Sequence, residues 1–153
     1  MSRQVKDYTN LLYIPTAKRS ATLNADEYRK ARELAHWKES VREAWPRVHV
    51  TVDGPRDVQF PIGADLSVVA HVDPGGLRAE DLLVELVAGR DQNGGVEELA
   101  AVPLEPVASA GTELRYEGGI EVEHGGSIVY GVRVLPASLA LVNKFDFGLV
   151  LWA

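Results

Sequence analysis

The four histidines, His36, His49, His71 and His124, are the residues of this chain best suited to proton transfer or metal ligation. Their spacing supports neither. No two stand at i, i+2 or i, i+4, the separations that place two imidazoles on one face of a strand or helix, and none shares a ligand motif with a carboxylate. The chain has no cysteine, which excludes a thiolate zinc site, a disulfide framework and a cysteine nucleophile. Neither a G-x-S-x-G elbow nor a P-loop is present. The glycine pairs Gly75-Gly76, Gly94-Gly95, Gly118-Gly119 and Gly125-Gly126 fall between or inside strand patterns and read as turns and bulges.

Carboxylates are plentiful, but a glycosidase pair needs two of them held about 5–10 Å apart across a cleft. Asp57, Glu97 and Glu98 lie in polar segments, and Glu113, Glu117, Glu121 and Glu123 occupy the polar side of an alternating stretch. They read as a solvated acidic surface. Lys144 in "LVNKFDFG" invites comparison with a Schiff-base lysine. Such a lysine needs a closed pocket, phosphate donors and a partner for the cofactor ring nitrogen. The neighbouring sequence supplies none of these, so Lys144 reads as a loop lysine. No catalytic, cofactor-binding or metal-ligating residue is assigned.

The elements that would position any site fall into two regions. Val5, Tyr8, Leu11 and Leu12 recur at helical spacing, and Pro15 is expected to stop that helix. After the polar link "TAKRSATL", Asn24 and Glu27 have the spacing of a capping box. They predict a second helix whose stripe is Tyr28, Ala31, Leu34, Ala35, Val41 and Ala44, with Trp37 and Trp45 at its edges and Pro46 at its end.

From "VHVTV" onward the period becomes two. Leu66, Val68, Ala70 and Val72 alternate with more polar residues, and "LLVELVA" follows, with an Asn93-Gly94 turn after it. "ELAAVPLE" reads as an edge strand, since Pro103 cannot donate to a ladder. Leu114, Tyr116, Ile120 and Val122 share one face of the next strand, and Ile128, Tyr130, Val132 and Val134 one face of another. Tyr116 and Tyr130 are expected in or at the corner of a core with satisfied hydroxyls. Seven or eight short strands predict an immunoglobulin-like antiparallel β-sandwich over residues 47–153, preceded by a two-helix segment over residues 1–46.

Charge divides at the same place. Residues 1–47 carry ten Lys and Arg against six Asp and Glu, a sum of +4, and residues 48–153 carry six against sixteen, a sum of −10. The acidic part would repel phosphates, which argues against nucleic acid. The chain shows neither a signal-peptide pattern nor an apolar run of about 20 residues, so no membrane partner is expected and a cytoplasmic location is.

The ordered segments "SRQVKDYTNLLYIP", "ARELAHWKESVREAWPRV", "YGVRVLP" and "GLVLWA" resemble the C-terminal end of bacterial α-glucan (glycogen) phosphorylases, in the branch that continues into an extra β domain. The resemblance implies that the opening helix is the last crossover helix of the catalytic fold and the next the helix leading out of it. It implies a non-catalytic piece of an enzyme that cleaves α-1,4-glucan with phosphate to glucose 1-phosphate. Pyridoxal phosphate would belong to the full-length enzyme and not to this chain. Met1 is then expected to lie inside a longer family pattern. Tyr8, Leu12, Tyr13, Trp37 and Trp45 are candidates for a surface that docks on the catalytic domain. Two alternatives stay open: a β-sandwich that binds α-glucan, and a module whose helices mediate self-association.

Overall fold

The computed structural model describes residues 9–56, 59–92, 95–107, 111–123 and 126–153. The chain forms two compact units, residues 1–42 and 43–153. The first is helical. A π-helical turn, Thr9–Tyr13, leads into one α-helix, α1, Ile14–Ala44. This corrects the expectation of two helices. Pro15 lies in the first turn of α1 and does not end a helix there, since the helical run continues from the π-helical turn through it.

The expected link is helical too. Ala17, Lys18, Arg19 and Ala21 are good helix formers, and Asn24 Nδ2 donates to Ser20 Oγ one turn back, at 3.4 Å. The expected boundary survives only as a local irregularity, with Asp26 and Tyr28 at φ of 50° and 64°. Burial along the stripe rises toward the C-terminal end: Tyr28 is exposed, Leu34 half-buried and Val41 fully buried. A 3₁₀ turn, Trp45–Arg47, carries Pro46 and closes the helix where the sequence places its end.

The second unit is mainly β, with nine strands among the described residues. These are β1 His49–Asp53, β2 Gln59–Phe60, β3 Asp65–Asp73, β4 Leu82–Gln92, β5 Gly95–Pro103, β6 Glu105–Val107, β7 Leu114–Glu121, β8 Gly126–Pro136 and β9 Leu151–Trp152. One antiparallel sheet has the order β1-β3-β7-β6, the other β2-β8-β4-β5, with β9 also paired to β8. Pro103 ends β5 at the sheet edge, as its missing donor requires. The Asn93-Gly94 turn lies outside the described residues.

The alternation read from the sequence builds the core. Leu66, Val68, Ala70 and Val72 of β3 are buried with Val84, Leu86 and Ala88 of β4 and Ile128, Val132 and Val134 of β8 in one cluster. Side chains of both sheets therefore share a single apolar interior. Between Ala88 and Gly89 the β4–β5 register slips by a bulge. A Cβ on Gly89 would sit 2.6 Å from the Glu97 carbonyl oxygen, so the crossing of these two backbones needs glycine there.

One region departs from simple alternation. On β8, Val132, Arg133, Val134, Leu135 and Pro136 are all buried, so both faces of this stretch are covered. Even positions enter the core. Arg133 and its cross-strand partner Glu85 lie on the opposite side, beneath the chain that runs from residue 137 to β9.

Candidate functional site

That covered side holds a buried polar constellation. The β4–β8 register pairs Glu85 with Arg133 directly. Glu85 is 3% exposed and Arg133 7% exposed, and Arg133 Nε donates to Glu85 Oε2 at 2.9 Å. Lys144, from the segment after β8, donates its Nζ to Glu85 Oε1 at 2.8 Å and to Oε2 at 3.1 Å. One buried carboxylate thus accepts from two cations. Removing ions from water is costly, and short charge-assisted hydrogen bonds offset that cost only where, as here, both carboxylate oxygens are engaged.

Two aromatic rings close over the cations. The Arg133 guanidinium carbon lies 5.1 Å from the Phe145 ring centre and 5.7 Å from that of Trp152. Lys144 Nζ lies 5.3 Å from the Phe145 centre. These distances are those of cation–π contacts. The Trp152 ring also covers Gly131, where a Cβ would lie 3.5 Å from it. Phe145 remains 51% exposed and Trp152 53% exposed. Asn143 accepts the Phe145 N–H through Oδ1 at 2.8 Å, which fixes the loop that carries the ring. Beside the constellation, a cleft of about 410 Å³ is lined by Leu83, Pro136, Leu139 and Leu141, with Glu80 and Lys144 as its charged members.

This arrangement does not suit proton transfer or nucleophilic attack. The Glu85 oxygens are both occupied, and the Lys144 ammonium is committed to them. The residues present do not fit pyridoxal phosphate either. A Schiff-base lysine must offer a free amine beside several phosphate donors, whereas Lys144 is ion-paired and Glu80 is the other charged residue of its cleft. Lys144 is nevertheless more than the loop lysine expected from sequence, because it completes a buried ion network.

A second grouping lies on the outer side of the four-stranded sheet. His71 on β3 approaches Asp53 of β1 through Nε2 and Glu113 through Nδ1, each at 3.3 Å. Strand register creates this neighbourhood: Thr51 pairs with His71, and His71 with Arg115. Among the described residues no group of His, Asp and Glu is arranged to hold a metal ion.

The two strand tyrosines divide. Tyr130 donates its hydroxyl to the Pro55 carbonyl at 2.6 Å, as a corner tyrosine should. Its ring reaches that carbonyl past Gly54, where a Cβ would fall 2.5 Å from the hydroxyl. Tyr116 is 4% exposed and its hydroxyl has no hydrogen-bond partner among the described residues, which corrects the expectation that both would be satisfied. Burial raises the pKa of both phenols above the ordinary tyrosine value.

The residues expected to dock on a catalytic domain do not form one described surface. Tyr8 lies outside the described residues, as does the side chain of Leu12. Tyr13 is 70% exposed and Trp37 is half-buried. Trp45 packs against the β-unit core. The sequence offers Phe145, Phe147 and Trp152 as aromatics on which a sugar could stack, without favouring glycan binding; of these Phe145 and Trp152 stand exposed, as do Leu139, Val142 and Val150 in or after the segment that follows β8. The apolar run "LVNKFDFG" around a lysine signalled Val142 and Phe145 but not Leu139 or Trp152.

Comparison with known proteins gives a consistent set of relatives. Residues 45–153 match the family described as the glycogen phosphorylase C-terminal domain. Glycogen phosphorylase of Mycobacterium bovis is 34% identical over 158 residues, covering 97% of this chain and 18% of that protein. Glycogen phosphorylase of Mycobacterium tuberculosis strain H37Rv matches to the same extent. Maltodextrin phosphorylase of Thermococcus litoralis is 29% identical over 155 residues, covering 98% of this chain and 18% of that protein. The chain therefore spans about a fifth of the length of these relatives. No solved structure matches.

Proposed function

Because this chain belongs to the glycogen phosphorylase C-terminal domain family, we propose that it serves as the non-catalytic C-terminal segment of an α-glucan phosphorylase. The parent activity is phosphorolysis of α-1,4-glucan to glucose 1-phosphate, the pyridoxal phosphate is held elsewhere in the enzyme, and this segment's role is structural or docking. The observation that carries the reading is coverage: the relatives named for glycogen and maltodextrin match nearly the whole chain while extending far beyond it. The full occupation of Glu85 and Lys144 supports a segment built for rigidity rather than for turnover.

In this reading the N-terminal segment docks on the catalytic part through Tyr8, Leu12, Tyr13 and Trp37, while Trp45 packs on the β core. A helix of 31 residues whose Ile14 and Tyr28 stand exposed, with Tyr13 exposed just before it, gains stability from a partner surface. The β unit is read as an immunoglobulin-like sandwich, supported by its two antiparallel sheets around one core. Among the described residues no helix is long and apolar enough to cross a membrane, and the proposed location is the cytoplasm.

The test is an assay of the purified 153-residue chain for glucose 1-phosphate released from maltodextrin and inorganic phosphate, with pyridoxal phosphate added. No turnover is expected. Sustained turnover by this chain alone would overturn the proposal.

A further inference from the structure

We propose that Phe145 and Trp152 form an α-glucan-binding platform on the outer face of the five-stranded sheet. The identity of the sugar rests on the reading of the chain as part of an α-glucan phosphorylase; the site itself rests on geometry. Both rings lie on one guanidinium, and their distances to it place the two ring centres within about 11 Å of each other. Neighbouring units of one oligosaccharide can therefore span both. Phe145 and Trp152 are each about half exposed to solvent.

The platform is rigid before any ligand arrives. Arg133 is held by buried Glu85, Glu85 is held by Lys144, and the Phe145 backbone is held by Asn143. Binding to a preformed surface loses little conformational entropy. A pyranose presents C–H groups on its faces and hydroxyls around its edge. It therefore needs flat rings under it and hydrogen-bonding groups beside it. The Lys144 side chain is 35% exposed, and Asn143 and Asp146 stand exposed beside Phe145. Lys and Asp are depleted at the centre of a protein–protein interface, so their interleaving with the rings favours a sugar over a protein partner.

The experiment is native electrophoresis of the folded 153-residue chain through gels with and without amylose, with calorimetric titration of maltoheptaose alongside. Wild type should be retarded by amylose. The Phe145→Ala/Trp152→Ala variant should run as if amylose were absent and bind maltoheptaose at least about tenfold more weakly, the loss of two ring contacts. Trp152→Phe, which keeps a ring, should retain most of the retardation and controls for damage to β9. Circular dichroism establishes that each variant is folded. A folded wild type that amylose does not retard overturns the site, as does retardation that survives loss of both rings. Failure of the underlying phosphorylase reading shows separately, as turnover by the chain alone, and does not change the gel result.

Discussion

Glu85→Ala tests the ion network most directly. The substitution leaves Arg133, 7% exposed, without its carboxylate, and leaves Lys144 facing it at short range. Breaking a buried ion pair from one side costs about 3–5 kcal/mol, because the surviving charge stays desolvated. The Phe145 and Trp152 rings return about 1 kcal/mol to Arg133, since a cation over an aromatic face is partly stabilised. A net destabilisation of about 3 kcal/mol is expected, a large share of the 5–15 kcal/mol available to a domain of this kind. Lys144→Ala removes a partner that is one-third exposed and leaves the Arg133–Glu85 bond intact, so about 1 kcal/mol is expected. The pair Glu85→Leu with Arg133→Met removes both buried charges and should fall within about 1 kcal/mol of wild type. Urea unfolding followed by far-ultraviolet circular dichroism gives the three values at constant m. If Glu85→Ala costs less than Lys144→Ala, or if the apolar pair is as damaging as Glu85→Ala alone, the network does not hold this side of the sheet as described.

Two further expectations follow from single side chains. Tyr116→Phe deletes a buried hydroxyl that lacks a partner among the described residues, and should raise stability by about 1 kcal/mol in the same urea assay. The Tyr116 phenol has its pKa raised above 10.0 by burial. Above pH 10.0 the unfolded chain loses this proton while the folded chain keeps it, so stability is complete below that pH and falls as pH rises toward the folded value. The Phe variant should lose less stability than wild type in that range. Gly89→Ala places a methyl 2.6 Å from the Glu97 carbonyl at the β4–β5 bulge and should cost about 1–3 kcal/mol, read as a lowered urea midpoint.

The local part of this protein is legible in residue type and spacing. Strand faces repeat every two residues, so the burial of Leu66, Val68, Ala70 and Val72 could be read without knowing what covers them. Pro103 announced an edge and Pro46 a helix end, because a missing N–H is a property of the residue. The order of segments carried the family likeness, which the relatives bear out. The same local logic failed at Pro15, where proline can equally begin a helix, and at Asn24, whose capping pattern lost to a continuous run of helix formers.

The tertiary structure alone decided the rest. Glu85 lies 48 residues from Arg133 and 59 from Lys144, and only the β4–β8 register and the return of the chain over β8 bring them together. Asp53, His71 and Glu113 meet for the same reason, through paired strands rather than through spacing. Whether a tyrosine hydroxyl finds a carbonyl, as Tyr130 does and Tyr116 does not, depends on which distant backbone passes within 3 Å of it. In sequence Phe145 and Trp152 are aromatics near a terminal strand of apolar neighbours, a context that does not favour a sugar platform. They become a solvent-facing pair because the interior is already filled from the other side of β8, and their rings rest on the cations of Arg133 and Lys144 instead.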